Sequence, residues 1–336
     1  MRRLGIGLTA TVFAVAVTAA QQPSDQQPSF KSRSDVVRVF VTVTDRDGRL
    51  VTTLGQSDFE IRDQGKPQPI VVFDNSPQPI RLIEMLDVSG SMEGNLPLLR
   101  DASKALFGQL RPDDVARVGS FGREVTISDE FTHDARALMA ALPDEIPPDA
   151  PTPLWKALDK AMAAFGHESE DRRAVIVLSD GKDSGATPVV LTRDNFPRPG
   201  RHSDSGFERH PVSQGQVIDR ARDEDVMIYA IGLRSRRRQQ MPPGLGPGGL
   251  RAALEDDLPD PGLARVAEET GGGYVEIKPA DDLGEAFARV AEELHGQYLL
   301  GFAPPQRDGK VHELEVRVAN KGLKPRARKS YVASKG

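Results

Sequence analysis

Hydrophobic residues recur with two different periods along the chain, and the change of period divides it into three blocks. In residues 37–43 every second position is valine, and in residues 313–318 leucine and valine alternate with charged residues. A period of two predicts strands with one buried face, so residues 35–79 and 295–336 are predicted to be β segments. Asp47-Gly48 and Gln64-Gly65 indicate turns in the first segment, and four prolines between residues 67 and 79 mark the passage to the next block.

The middle block, residues 80–294, alternates short apolar runs with longer amphipathic stretches. The predicted strands are residues 80–86, 116–122, 125–131, 174–180, 226–233 and 274–277, and the predicted helices are residues 96–110, 134–142, 153–165, 216–223, 263–270 and 283–294. Strands that alternate with helices in this way are typical of an α/β fold with a doubly wound, mostly parallel sheet. We expect the two β segments to form a β-sandwich into which this domain is inserted; two separate small β elements are the alternative.

The first residues have the composition of an export signal. Arg2 and Arg3 precede an apolar stretch, residues 4–17, and small residues follow at positions 18–20. This order predicts a secretory signal peptide over residues 1–20, since the apolar stretch is short for a membrane-spanning helix. Residues 21–34 are rich in Gln, Ser and Pro and are predicted to be a flexible leader. The sequence therefore predicts an exported protein, periplasmic or secreted, with no membrane span after cleavage.

Composition narrows the classes of function. The formal net charge is −5, and the 336 residues include no cysteine. A negative chain lacks the basic surface that replaces counterions on nucleic acid, so we expect no nucleic-acid partner. Without cysteine the protein has neither a thiolate nucleophile nor a cysteine metal cluster, and an exported chain must be stabilised by its core alone.

Oxygen-bearing side chains follow the predicted strands of the middle block. Asp87, Ser89 and Ser91 come directly after its first strand, Asp180 ends its fourth strand, and Thr152 precedes a predicted helix. Because ligands bind at the carboxyl ends of strands in open α/β sheets, we expect these side chains to converge on one edge. Hydroxyl and carboxylate oxygens without His or Cys suit Mg²⁺, Mn²⁺ or Ca²⁺, and not zinc or copper.

A second interpretation of the first of these segments needs no ligand. Ser89 and Ser91 could cap the amide groups of a following helix, while Gly90 permits a tight turn from strand to helix. Nearby, Asp183 is predicted to be a turn residue and not a ligand. Trp155, the only tryptophan, is predicted to pack on a helix face.

The combination of Asp87-x-Ser89-x-Ser91 with Thr152 and Asp180 resembles the metal-ion-dependent adhesion site of the von Willebrand factor type A (VWA) fold. The resemblance implies that the two serines and the threonine ligate a cation through their hydroxyls, and that the two aspartates act directly or through water. The segments VTVTDRDGRLV and QYLLGFAPP in the flanking blocks further resemble the exported bacterial VWFA-related proteins.

The resemblance implies a non-enzymatic, cation-dependent protein-binding module of the adhesion type, in the cell envelope or outside the cell. Neutral hydroxyls leave much of a divalent cation's charge uncompensated, so an Asp or Glu carboxylate of a partner protein can complete its coordination. The alternative is a structural or assembly subunit of an envelope complex in which the metal serves stability. We expect no enzyme, because the sequence has neither a G-x-S-x-G elbow nor a G-x-x-x-x-G-K-[ST] phosphate loop.

Two irregular stretches, residues 184–213 and 234–261, interrupt the alternation and are rich in Pro, Gly and Arg. Each follows the carboxyl end of a predicted strand, so we expect them to form a rim around the cation and to determine which partner fits. His202 and His210 in the first stretch could hold a second metal ion.

Overall fold

The computed structural model describes residues 36–166, 171–184, 212–234, 258–278 and 281–335. The strands in these ranges are β1 (Val37–Thr44), β2 (Phe59–Asp63), β3 (Lys66–Gln68), β4 (Val72–Asp74), β5 (Ile80–Asp87), β6 (Val115–Phe121), β7 (Val125–Ile127), β8 (Arg172–Ser179), β9 (Val226–Leu233), β10 (Tyr274–Ile277), β11 (Tyr298–Phe302), β12 (Val311–Val318), β13 (Lys324–Arg326) and β14 (Ser330–Val332). The α-helices are α1 (Leu96–Phe107), α2 (Ala135–Ala140), α3 (Leu154–Ala163), α4 (Gln214–Asp223), α5 (Pro261–Thr270) and α6 (Leu283–His295).

Strands β5 to β10 form a central sheet in the order β10-β9-β8-β5-β6-β7. Neighbouring strands are parallel except β7, which runs antiparallel to β6. Successive side chains of β5 point to opposite faces, so Leu82 and Leu86 pack in one hydrophobic cluster while Ile83 and Met85 pack in the other. Helices α1, α2 and α6 cover the first face, and α3, α4 and α5 cover the second. The predicted α/β fold with a doubly wound, mostly parallel sheet is confirmed.

The other strands form two antiparallel sheets, with the orders β13-β1-β11-β4 and β14-β12-β2-β3. Each sheet combines strands from both ends of the chain, since β1 pairs with β11 and β2 pairs with β12. The alternating valines of β1 pack with Ile61 of β2 and Leu314 of β12 in one core between the two sheets. This arrangement is a β-sandwich, with the central domain inserted between its two chain segments.

Three short strands, β3, β4 and β13, do not follow from the hydrophobic pattern. Pro67 lies in β3 and Pro325 lies in β13. All three strands are at the edge of a sheet, so each pairs with one neighbour only. Proline has no N–H to donate to a second neighbour, so it is compatible with an edge strand. The proline-rich passage predicted between residues 67 and 79 therefore contains two edge strands, β3 and β4.

The α/β layer and the sandwich meet in a buried polar network around Arg172, the first residue of β8. Its guanidinium group donates to the backbone oxygen of Leu294 and to Oε1 of Gln297, and lies 4.7 Å from the ring centre of Phe40 in β1. Gln297 in turn donates to Oγ1 of Thr42 at 2.7 Å. These contacts fix the carboxyl end of α6 against the first strand of the sandwich.

None of the described helices is both long and apolar enough to cross a membrane. The predicted signal peptide and leader, residues 1–34, lie outside the described residues. So do most of the two irregular stretches, including both histidines of the first one. Their predicted roles as a partner-selecting rim and a second metal site stay predictions.

Candidate metal centre

Strands β5 and β8 are neighbours at the point where the winding of the central sheet changes direction. From β5 the chain passes through α1, on one face, to β6, whereas from β8 it reaches β9 through α4 on the other face. Open α/β sheets bind ligands at the carboxyl ends of the strands beside such a point. Asp87 is the last residue of β5, and Asp180 directly follows β8.

Two hydroxyls and one carboxylate form a hydrogen-bonded chain at this edge. Ser89 Oγ and Ser91 Oγ are 3.0 Å apart, and Ser91 Oγ donates to Asp180 Oδ1 at 2.6 Å. Ser89 and Asp180 are buried, and Ser91 is partly buried. A hydroxyl that donates its hydrogen retains lone pairs, so both serine oxygens can still serve as ligands.

Asp87 has both carboxylate oxygens engaged by neighbouring groups. Oδ1 accepts a hydrogen bond from the backbone N of Ser89 at 2.8 Å, and Oδ2 accepts one from Oγ of Ser179. Burial raises the pKa of Asp87 to about 7; the hydrogen bonds from Ser179 and Ser89 act in the opposite direction, and the charge of Asp180 adds to the increase. A nearby cation would favour the charged form of both carboxylates.

The third segment of the centre is the loop that precedes α3. Gly90 N donates to Ala150 O at 3.0 Å and so joins this loop to the turn after β5. On the other side, Thr152 N donates to Ser184 Oγ and Ser184 N donates to Thr152 O, both at 3.0 Å. The Thr152 hydroxyl lies beside Gly181, where an added Cβ would be 3.0 Å from it. The structure thus brings the three predicted segments together, with Asp87 at the end of β5 and the other four predicted residues in adjacent loops.

The serine side chains do not cap a helix. A short 3₁₀ helix, Gly90–Met92, follows Ser89, but no hydrogen bond joins the Ser89 side chain to its amide groups. Helix α1 begins only further along the chain, and Ser91 Oγ is bonded to Asp180 instead. The interpretation of the two serines as helix caps is therefore wrong. Gly90 instead allows another loop to approach closely, because a Cβ there would lie 2.8 Å from the backbone N of Asp149.

The chemistry of the donor set fits a hard divalent cation. The hydroxyls of Ser89 and Ser91 and the carboxylates of Asp87 and Asp180 lie at this edge, with the Thr152 hydroxyl beside Gly181, and oxygen donors are those that Mg²⁺, Mn²⁺ and Ca²⁺ prefer. The charge of the buried Asp87 has no ion-pair partner among the described Lys, Arg and His side chains. In the part of the chain that the structure describes, no group of three or more His, Cys, Asp or Glu forms another possible metal site.

Two further aspartates lie beside the centre and bond to the backbone. Asp183 Oδ1 accepts a hydrogen bond of 3.4 Å from Trp155 N, and Asp183 N donates to Asp260 Oδ2 at 3.0 Å. Asp260 in turn caps α5 through Gly262 N at 2.7 Å. The prediction that Asp183 is a turn residue and not a ligand stays a prediction, whereas Trp155 is buried on α3 as expected of a core residue.

Sequence reasoning missed two residues that support the centre, Ser179 and Ser184. Ser179 donates to Asp87, and Ser184 is bonded to Thr152. Ser179 had a detectable signal, because it is a hydroxyl at the end of an apolar run and directly precedes Asp180. Ser184 had none, since a serine at the start of an irregular stretch is ordinary.

Residues 82–182 match the family model of the von Willebrand factor type A domain. The chain contains a VWA domain. The matched residues run from β5 to the end of β8 and include all five predicted side chains of the centre. The match does not reach the sandwich strands, so the narrower resemblance to exported bacterial VWFA-related proteins stays a prediction.

Solved VWA structures are similar to the chain at low sequence identity. The von Willebrand factor type A protein from Catenulispora acidiphila is 12% identical with a TM-score of 0.44, over 91% of this chain and 76% of that one. The vWF domain of the type V pili tip protein Mfa5 from Porphyromonas gingivalis is 15% identical with a TM-score of 0.43, over 64% and 95%. Proximal thread matrix protein 1 from the mussel byssus, with a zinc-occupied MIDAS motif, is 16% identical with a TM-score of 0.44, over 70% and 50%.

Similarity at this level transfers neither a ligand nor a partner to this VWA domain. No curated protein matches the chain in sequence.

Proposed function

We propose that the protein is a non-enzymatic, divalent-cation-dependent protein-binding module that acts in the cell envelope or outside the cell. The observation that carries this proposal is the hydrogen-bonded chain from Ser89 through Ser91 to Asp180, with Asp87 and Thr152 beside it. These five side chains would hold Mg²⁺, or Mn²⁺ or Ca²⁺, at the carboxyl edge of the VWA sheet.

The charge and number of these donors favour binding of a carboxylate from another molecule. Ser89, Ser91 and Thr152 contribute neutral oxygens, and Asp87 already accepts two hydrogen bonds. A bound divalent cation supplies uncompensated positive charge and prefers about six oxygen ligands, more than five side chains give with one oxygen each. An Asp or Glu side chain of a partner protein is a matching donor, because bonds between charged groups are stronger than neutral ones.

Catalysis is not part of this proposal. Activation of water by a metal also needs a group that accepts the proton. Asp87 is a poor candidate, since both of its oxygens are already engaged by Ser89 and Ser179. The proposed location outside the cytoplasm is supported by the sequence of residues 1–20.

Cation binding is tested by calorimetric titration of the protein with Mg²⁺, Mn²⁺ and Ca²⁺. We expect the wild type to bind one ion per chain and Asp87→Ala to bind at least about tenfold more weakly. Asp101→Ala is a matched control, because Asp101 is an exposed carboxylate on α1. Equal weakening in both variants, or no binding by the wild type, would contradict the proposal.

The open coordination position is tested with Mn²⁺ bound, by measuring the relaxation of water protons. Acetate serves as a model carboxylate and should lower the relaxation enhancement, because it displaces water from the ion.

Capture of a partner protein from an envelope or culture fraction should occur in the presence of the cation and should fail with EDTA or with Asp87→Ala. A large metal-dependent rise in melting temperature without an effect of acetate would favour the alternative, in which the metal serves the stability of an envelope subunit.

A further inference from the structure

A second polar region lies at the amino-terminal ends of β8 and β9, opposite the candidate metal centre. A cavity of about 20 Å³ lies there between the VWA domain and the sandwich. Four arginines line it, Arg172, Arg173, Arg222 and Arg328, together with only two carboxylates, Asp225 and Glu269. Arg328 pairs with Asp225 and Arg222 pairs with Asp219, whereas Arg172 has no ion pair among the described residues.

Arg172 is the most buried of these arginines, with 7% of its surface exposed. Its Nη1 and Nη2 atoms donate to a backbone oxygen and to the amide oxygen of Gln297, and its Nε has no hydrogen-bond partner. Burial lowers the pKa of Arg172 to about 10, so the side chain remains charged at neutral pH. No carboxylate among the described residues forms an ion pair with it. A buried charge in this situation is costly unless an anion approaches it.

Two other arginines approach the cavity from the two layers. Arg222, on α4, donates through Nε to Ser330 Oγ at 2.7 Å and through Nη1 to Asp219 at 2.8 Å. Arg328, in the sandwich segment, donates to Asp225 Oδ1 and to the backbone oxygen of Arg38, both at 2.6 Å, while its Nε has no partner. These bonds orient the two guanidinium groups, one from each layer.

We propose that this cavity binds one small tetrahedral oxyanion, of the size of phosphate or sulfate, beside Arg172, Arg222 and Arg328. Guanidinium groups match oxyanions because they offer several N–H donors in a fixed plane. A volume of this size accommodates a single small group. An anion held by residues of both layers would stabilise the junction between the VWA domain and the sandwich.

The competing explanation is that the arginines only stabilise helix ends and backbone oxygens. Arg172 contacts the end of α6, and Arg173 Nη1 donates to Glu224 O after α4. This explanation accounts for the bonds already made. It does not account for the buried charge of Arg172 or for the unbonded Nε atoms of Arg172 and Arg328, and it predicts no response to phosphate.

The test is thermal unfolding of the full chain in phosphate, compared with chloride at equal ionic strength. Phosphate at about 10 mM should raise the wild-type melting temperature by about 2 °C or more relative to chloride. Arg222→Gln should remove most of this difference, and so should Arg328→Gln. Because the comparison is made within each variant, a loss of basal stability does not affect it. Sulfate should act like phosphate, and acetate should have little effect.

Arg220→Gln is the matched control, since Arg220 is on the same helix but pairs with Asp159 and Glu224. It should retain the phosphate effect, and so should Asp87→Ala, which keeps this test separate from that of the metal centre. The proposal is overturned if phosphate has no effect on the wild type. It is equally overturned if all variants respond alike, because exclusion of phosphate from protein surfaces would then explain the shift.

Discussion

Ser91 Oγ donates a 2.6 Å hydrogen bond to Asp180 Oδ1, although the two residues are 89 positions apart in the chain. One residue follows β5 and the other follows β8, so this bond joins the ends of two neighbouring strands of the VWA sheet. It uses the hydrogen of Ser91 and leaves lone pairs on its oxygen for a cation. The bond therefore assembles the centre and orients one of its ligands at the same time.

Ser179 is predicted to be a positioning residue for the cation. Its hydroxyl donates to Asp87 Oδ2, so Ser179→Ala should leave that buried oxygen without this bond and Asp87 less firmly oriented. Substitution of a group that orients a metal ligand typically weakens metal affinity by about 10- to 100-fold. We expect a loss in this range in calorimetric titration with Mn²⁺. Ser120→Ala is the control, because the Ser120 side chain bonds only to Thr126, on the exposed side of β6 and β7. Equal Mn²⁺ affinity in the two variants would show that Ser179 does not position Asp87.

Gly90→Ala is predicted to weaken cation binding and stability together. A Cβ at this position would lie 2.8 Å from Asp149 N, so the loops that carry Ser89 and Thr152 must move apart. We expect the free energy of unfolding to fall by about 1–3 kcal/mol, as is usual for overpacking. Gly215→Ala is the control, because a Cβ there meets no atom closer than 3.9 Å. Denaturant unfolding and Mn²⁺ titration of both variants measure the effect. If Gly90→Ala kept the stability and the Mn²⁺ affinity of the wild type, the two loops would not need to approach closely.

Glu84 is predicted to make stability depend on pH. It is fully buried in β5, with one oxygen bonded to Ser103 Oγ at 2.8 Å and the other without a hydrogen-bond partner. Burial raises the pKa of Glu84 from 4.5 to about 8, against the effect of the Ser103 bond. The folded chain therefore keeps a proton that the unfolded chain releases, and this group lowers stability as pH rises from about 5 to about 8.

Glu84→Gln isolates this effect, since glutamine keeps the shape of the side chain and stays neutral. Each pH unit in this range is worth up to about 1.4 kcal/mol, so the variant should gain stability relative to the wild type by a few kcal/mol at pH 8. Urea unfolding in EDTA at about pH 5.5 and about pH 8 gives the comparison without a contribution from bound metal. If the free energy of unfolding changed equally with pH in the two proteins, Glu84 would not be the group that makes stability depend on pH.

Asp114 is predicted to stabilise the fold without affecting the cation. It accepts hydrogen bonds from Ile80 N at 3.0 Å, from Arg111 N at 2.7 Å and from His295 Nε2 at 2.7 Å, at the end of the sheet opposite the centre. Asp114→Ala should lower the free energy of unfolding by about 2–4 kcal/mol, because buried donors lose their acceptor. Asp113→Ala, at the exposed neighbouring position, should have little effect. Mn²⁺ affinity should be unchanged in both; a weakened affinity in Asp114→Ala alone would show coupling between the two ends.

The hydrophobic pattern predicts the central sheet well because its strands are buried on both faces. An apolar run such as that of β9, residues 226–233, leaves little choice of structure once helices flank it. The short edge strands β3 and β13 were missed, since each has three residues and a proline in the middle. Such strands exist because a neighbour supplies their hydrogen bonds, which no local pattern records.

The candidate centre was predicted as a set of residues, but its supporting contacts were not. The residue types and the strand ends indicate that Ser91 and Asp180 meet. They do not indicate that Ser184 holds Thr152 in place. Arg172 was missed for a related reason: a basic residue at the start of a strand usually faces solvent, and only the packing of the sandwich against the VWA domain buries it.

The central claim is that Asp87, Ser89, Ser91, Thr152 and Asp180 together hold one divalent cation. Crystals of the protein grown with Mn²⁺ and measured near the manganese absorption edge test it most directly, because the anomalous signal locates the ion without assumptions about its ligands. We predict one strong anomalous peak per VWA domain, in contact with the hydroxyls of Ser89 and Ser91 and absent from crystals of Asp87→Ala. A wild-type crystal with no peak at this edge of the sheet, or with its peak elsewhere, would contradict the account.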